Sequence, residues 1–131
     1  MNEPDHIYAT LSTSQLQKLS VDFSRAVRRL FLNIVRSSPD ERSASEQLYR
    51  AGSSVGANVR EAKYAESPKD FIHKLKIAEK ELGEFYYWLG FLCSRPSVID
   101  QEARKEVELL AASVGKLLTA TIVAMKRKHS T

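Results

Sequence analysis

Five cations define the chemistry this chain could perform. Lys18, Arg25, Arg29 and Arg36 follow one another at spacings of seven, four and seven, with Arg28 adjacent. At about 100° per residue the four fall along one side of a helix, opposite a stripe made by Phe23, Val27, Leu30 and Ile34. They form a basic ridge with Asp22 as the one acid near it. Such a ridge can hold phosphates without reading bases. A merely solvated face, which is what most charged stripes are, is the competing reading. Lys126, Arg127 and Lys128 make a second basic cluster near the C-terminus, where cations would also complement a helix dipole.

The remaining reactive types do not combine. His73 follows Asp70 by three residues, a spacing that places carboxylate and imidazole on one helical face, but a di-metal bundle needs a second such pair and further carboxylates. His6 and His129 lie near the chain ends, so no metal is expected. Cys93 is the single cysteine and is expected to be a small buried hydrophobe rather than a nucleophile. Asn58, Glu61 and Glu81 are expected to hydrogen-bond to one another inside the fold or to fix helix register, with a small internal binding site as the alternative. Carboxylates without a positioned histidine do not make a catalytic set. Gly52 and Gly56 sit four apart with no GxxxxGK pattern around them, so close packing against an aromatic face of the following helix is the expected reason for them. The chain is therefore expected to be no enzyme and to use no cofactor.

A chain of 131 residues, 43% hydrophobic and 27% charged with 5 Gly and 4 Pro, has the balance of one globular domain. The net charge is +4, which nucleic acid, an acidic partner or solubility alone would each satisfy. One cysteine excludes an internal disulfide framework, and a reducing cytoplasm is the expected location. Charged residues interrupt every apolar run before about 20 residues, so no membrane association is expected. Residues 1–13 open with Asn2, Glu3, Pro4 and Asp5 and are expected to form a tail.

Four elements must position these groups. Leu16, Leu19, Phe23, Val27, Leu30 and Ile34 recur at threes and fours and predict a helix over about 15–37. Leu48, Ala51, Val55, Val59 and Ala62 predict a second over 44–65. Phe71, Leu75, Ala78, Leu82, Phe85, Leu89 and Leu92 give the most regular stripe, over 68–93. Val107, Leu110, Val114, Leu117, Thr121 and Met125, broadened by Leu118 and Ile122, predict the fourth, over 98–127, leaving a short tail at 128–131. Each helix has a candidate capping box: Ser14 with Gln17, Ser43 with Glu46, Ser67 with Asp70 and Ser97 with Asp100. Short links between long amphipathic helices predict an all-α, up-down-up-down four-helix bundle in a single domain.

The segment QLYRAGSSVGANVREAKYAESPKDFIHKLKIAEKELGEFYYWLGFL, from Gln47 to Leu92, resembles the small bacterial four-helix-bundle family named for proteins encoded in intervening sequences of the 23S ribosomal RNA. The resemblance is carried by RAGSSVGAN from Arg50 to Asn58, by Glu61 and Ala62, by Ser67 with Asp70 and Phe71, and by Lys74, Ala78, Glu81 and the Tyr87, Trp88, Leu89 triplet. It implies a homo-oligomeric helical bundle, in several members a five-fold ring, with no established enzymatic activity and a poorly defined cellular role. A distantly similar branch, the accessory proteins of diversity-generating retroelements, binds nucleic acid and a reverse transcriptase. Tyr86, Tyr87, Trp88 and Phe91 cover more of the third helix than one core stripe needs, which fits self-association. The expected function is a non-enzymatic homo-oligomeric scaffold that binds RNA, DNA or a nucleic-acid-processing protein through the first-helix ridge. A protein-binding or structural assembly with no nucleic-acid role is the alternative.

Overall fold

The computed structural model describes residues 3–129, with side chains from residue 13 onward. Four helices account for nearly all of it: α1 (Glu3–Ser37), α2 (Arg42–Lys63), α3 (Pro68–Cys93) and α4 (Gln101–His129). A single 3-10 turn, Pro39–Glu41, joins α1 to α2, and there is no strand among the described residues. Each helix packs against two neighbours, α1 on α2 and α4, α3 on α2 and α4. The links are short, so sequential helices run antiparallel and the bundle is all-α and up-down-up-down.

The core repeats three of the four stripes. Leu16, Phe23, Val27, Leu30 and Ile34 of α1, all five stripe positions of α2, and Leu75 to Leu92 of α3 are buried. Phe23 and Phe85 meet edge to face across the bundle diagonal, ring centroids 4.9 Å apart. In α4 the inward residues are Val107, Ala111, Val114, Leu118, Thr121 and Ile122, whereas Leu110, Leu117 and Met125 are half-buried. The apolar face of α4 is wide enough to hold two overlapping three-four stripes, so its sequence does not fix the rotation of the helix. By length and hydropathy α4 would also pass for a membrane span, although a third of that apolar window is buried inside the bundle.

The helix starts follow the expected signals only in part. Ser67 caps α3, its hydroxyl accepting from the Asp70 N–H at 3.0 Å, and the Asp70 carboxylate accepts from the Glu66 N–H at 3.2 Å. Pro68 occupies the first turn, where an N–H would have no helical partner. At α4 the cap is Asp100 itself, accepting from the Ala103 N–H at 3.0 Å, rather than Ser97. At α2 the 3-10 turn leads straight into the helix, with the Arg42 N–H bonded to the Pro39 carbonyl. Backbone thus supplies what the Ser43 hydroxyl was expected to supply, and Ser43 lies within α2. The helix α1 begins at Glu3, so residues 3–13 are helical rather than a tail and Ser14 is an interior residue.

Ion pairs hold the helices in register. Arg50 of α2 reaches Glu81 at 3.2 Å and Glu84 at 2.5 Å on α3, and its hydrogen bond keeps the Glu84 carboxyl below the usual carboxylate range. Lys74 meets Glu61 at 3.2 Å. Arg95, in the α3–α4 link, pairs with Asp40 at 2.9 Å and Glu41 at 2.5 Å in the α1–α2 link. That contact fastens together the two connections at one end of the bundle and holds the Asp40 carboxyl low.

Two buried hydroxyls, on Ser45 and Thr121, have no hydrogen-bond partner. Most helical Ser and Thr hydroxyls bond back to the preceding turn, as Ser24 does to the Ser20 carbonyl at 2.9 Å. An orphaned buried hydroxyl costs about 1–3 kcal/mol. Thr121→Val, which keeps the branched shape and discards the hydroxyl, is expected to raise the unfolding free energy by about 1 kcal/mol. The check is a urea titration, and a midpoint lower than that of the parent would contradict it.

Candidate functional site

The close approach of α1 to α2 is what shapes the polar surface. A Cβ on Gly52 would lie 2.8 Å from Val27 Cγ1, and one on Gly56 would lie 2.7 Å from Ser24 Oγ and 3.4 Å from the Ser20 carbonyl oxygen. The glycines therefore admit α1, not an aromatic face of α3. Gln17 Nε2 donates to the Val59 carbonyl at 2.6 Å across the same seam. Side chains flanking the seam are brought together by this approach.

All five α1 cations are exposed, but they do not act as one ridge. Arg29 is drawn to α4 by an ion pair with Glu106. Arg36 lies in the last turn of α1, about 27 Å along the axis from Lys18. Lys18 and Arg25 line an open groove of about 1100 Å³ that also takes in Arg60 and Lys63 from the end of α2. On the other side of Arg25 a smaller groove of about 380 Å³ runs between α1 and α2, lined by Arg28, Tyr49, Ser53 and again Arg60. Arg25 and Arg60 thus stand on the edge common to both grooves. Lys18, Arg25, Arg28, Arg60 and Lys63 have no ion-pair partner among the described residues. Asp22 and Glu66 are the acids on the larger groove.

Sequence reading missed Arg60 and Lys63. The signal was present for Arg60: Tyr49, Ser53, Gly56 and Arg60 follow at four, three and four, which places Arg60 on the edge of α2 that faces α1. Of the C-terminal cluster, Lys126 lines a further groove of about 450 Å³ with Lys69, Ile72 and His129. His129 also lines the larger groove, so cations far apart in the chain meet at one end of the bundle. Arg127 is exposed and Lys128 half-buried beside them.

Other candidates resolve into structural roles. Asn58 does not join Glu61 and Glu81: its amide donates to the Ser54 carbonyl of its own helix at 2.8 Å. Glu61 is exposed and paired with Lys74, and Glu81 is half-buried against Arg50. They fix α2–α3 register as separate pairs rather than as an internal network. Asp70 is occupied as a cap, and His73 is exposed. Among the described residues no three His, Cys, Asp or Glu side chains gather as metal ligands would. His6 lies outside the described side chains. Cys93 is half-buried, and desolvation pushes its thiol pKa up, away from the reactive thiolate.

The outer face of α3 carries the other unspent surface. Tyr87 is 61% exposed and Phe91 50%, both packed edge to face on the half-buried Trp88 at 4.9 and 5.5 Å. On the same helix Gly83 and Gly90 face open space, so nothing within the monomer explains two glycines that each weaken a helix by about 1 kcal/mol.

Residues 10–120 match the family described as the 23S rRNA-intervening sequence protein. A crystal structure from Bacteroides thetaiotaomicron, of a protein with unknown function from the S23 ribosomal protein family, is similar to this chain at 32% identity and a TM-score of 0.77, covering 86% of this chain and 98% of that one. Comparison with curated proteins gives no match.

Proposed function

We propose a scaffold function for this chain, which belongs to the 23S rRNA-intervening sequence protein family: it is a non-enzymatic bundle that self-associates and binds nucleic acid at the α1–α2 corner. The observation that carries this reading is the crowding of five cations from two helices around two adjoining grooves. Arg29, Arg42, Arg50, Lys74, Arg95, Arg104 and Lys105 each have a carboxylate within reach. Lys18, Arg25, Arg28, Arg60 and Lys63 have none among the described residues and crowd two adjoining grooves, with Asp22 and Glu66 as the acids there, whereas Arg36, Lys76, Lys80 and Lys116, also without an ion pair among the described residues, line neither groove. Unneutralised cations repel one another, and a phosphate chain relieves that repulsion while releasing its counterions. Nothing in the arrangement reads base edges, so binding is indifferent to sequence. Self-association through Tyr87 and Phe91, in a five-fold ring as the family resemblance implies, would repeat the corner and multiply a weak attraction into avidity.

The test is titration of labelled RNA and duplex DNA at two salt concentrations, with light scattering to report mass. Arg25→Gln, Arg28→Gln and Arg60→Gln together keep helix propensity. They are expected to leave folding and mass unchanged while flattening the log–log salt slope by roughly 2 to 3, the share of three phosphate contacts. The same exchange at Lys126, Arg127 and Lys128 is expected to do less. No binding by the parent protein, or unchanged binding by the corner variant, would put the protein-binding assembly in front.

A further inference from the structure

The larger groove is cationic at its rim and apolar at its floor. Val21 of α1, Phe71 in the early turns of α3 and Met125 near the end of α4 all line it. Each is half-buried, so part of each side chain is reachable from the groove. Around them stand Lys18, Arg25, Arg60 and Lys63, with Asp22 and Glu66 as the acids, so cations are in excess. The volume of about 1100 Å³ exceeds that of a pocket for one small ligand, about 300–1,000 Å³, and leaves room for more than one nucleotide.

This combination discriminates between forms of nucleic acid. A duplex turns its phosphates and sugars outward and keeps the faces of its bases stacked inside, so a recessed apolar floor gains nothing from it. A single strand carries an unstacked base beside every phosphate, and each base has a face that packs on an aromatic ring or a thioether. The guanidinium forks of Arg25 and Arg60 suit phosphate oxygens. A phosphate chain also brings one charge per residue to a lining in which four cations outnumber two acids, which an acidic peptide does only at some positions. Resting on the nucleic-acid reading above, we infer that this groove takes single-stranded nucleic acid, with phosphates on the Lys18, Arg25, Arg60 and Lys63 rim and bases on the Phe71 and Met125 floor.

The full-length protein is titrated with a short labelled oligouridylate and with a duplex carrying the same number of phosphates, the two forms being compared at each of two salt concentrations. Single strand is expected to bind about tenfold or more tightly than duplex, the size of one or more base-stacking contacts. Phe71→Leu keeps apolar volume against the core while removing the ring, and circular dichroism reports its folding. It is expected to lose about tenfold in single-strand affinity with duplex affinity unchanged. Met125→Gln, on a different helix, is expected to act in the same direction. Equal binding of the two forms, or Phe71→Leu and Met125→Gln both leaving single-strand binding intact, overturns the inference while the cationic corner stands. Absence of salt-dependent binding to either form overturns the underlying reading as well. Displacement of the oligouridylate by an acidic amphipathic peptide at lower concentration than by unlabelled oligouridylate would assign the groove to a protein and overturn the inference too.

Discussion

Phe85→Ala is expected to remove about 3–5 kcal/mol of unfolding free energy, the range for truncating a fully buried phenylalanine. Phe85 has no exposed surface. It is also the α3 half of the edge-to-face contact with Phe23 that spans the bundle diagonal, where the other helix pairs leave α1 and α3 without a shared flank. Truncation therefore opens a cavity between helices that cannot easily collapse toward each other, and forfeits an aromatic pair worth about 0.5–1.5 kcal/mol beyond its area. Against a total stability of about 5–15 kcal/mol for a domain of this kind, the loss is large enough to read in one urea titration. Phe85→Leu, which fills most of the volume, is expected to cost less than half as much. If the chain self-associates, both measurements belong at one fixed protein concentration, because assembly stabilises the folded state by mass action. A Phe85→Ala midpoint within experimental error of the parent would mean that the diagonal contact is not central to the core.

How much of this could be read beforehand depended on whether a feature is local. The α3 stripe was legible because its apolar positions occupy one narrow face, and Leu75, Ala78, Leu82, Phe85, Leu89 and Leu92 are all buried. Its start was legible because Ser67, Pro68 and Asp70 act within one turn. In α4 the apolar residues cover too wide an arc, so only packing decided that Ala111 and Leu118 face inward while Leu110 and Leu117 lie at the flank. The glycines of α2 announced a close approach but not the approaching helix, since glycine-spaced surfaces accept any partner that is small or rigid enough at the contact. The candidate site was half legible. Lys18, Arg25 and Arg28 carry the right type on the right helix, but Arg29 is captured by Glu106 from α4, and Arg60 and Lys63 arrive from α2. Those changes are tertiary, and no period within α1 encodes them.

The same seam yields a prediction whose sign runs against helix propensity. Gly52→Ala is expected to destabilise the bundle by about 1–3 kcal/mol, the usual cost of forcing volume into a packed core, even though alanine is favoured over glycine in a helix by about 1 kcal/mol. The new methyl would meet both methyl carbons of Val27 below 3.0 Å, and Val27 is fully buried and branched at Cβ, so it has no free rotamer to retreat into. At Gly56 the nearest atom is the Ser24 hydroxyl, which can turn away at the expense of its bond to the Ser20 carbonyl, so Gly56→Ala is expected to be milder. Gly90→Ala serves as the opposite control: its Cβ meets nothing, and the variant monomer is expected to gain about 0.5–1 kcal/mol. Pairing Gly52→Ala with Val27→Ala should recover part of the loss, a non-additivity expected only of residues in contact. Because the clash pushes α1 away from α2, Gly52→Ala is also expected to part Arg25 and Arg28 from Arg60 and weaken oligonucleotide binding without removing a single charge. Urea titration of the five variants, Val27→Ala alone included, beside binding of the labelled oligouridylate checks both effects, and a Gly52→Ala protein as stable as the parent would show that the seam is looser than the Val27 contact requires.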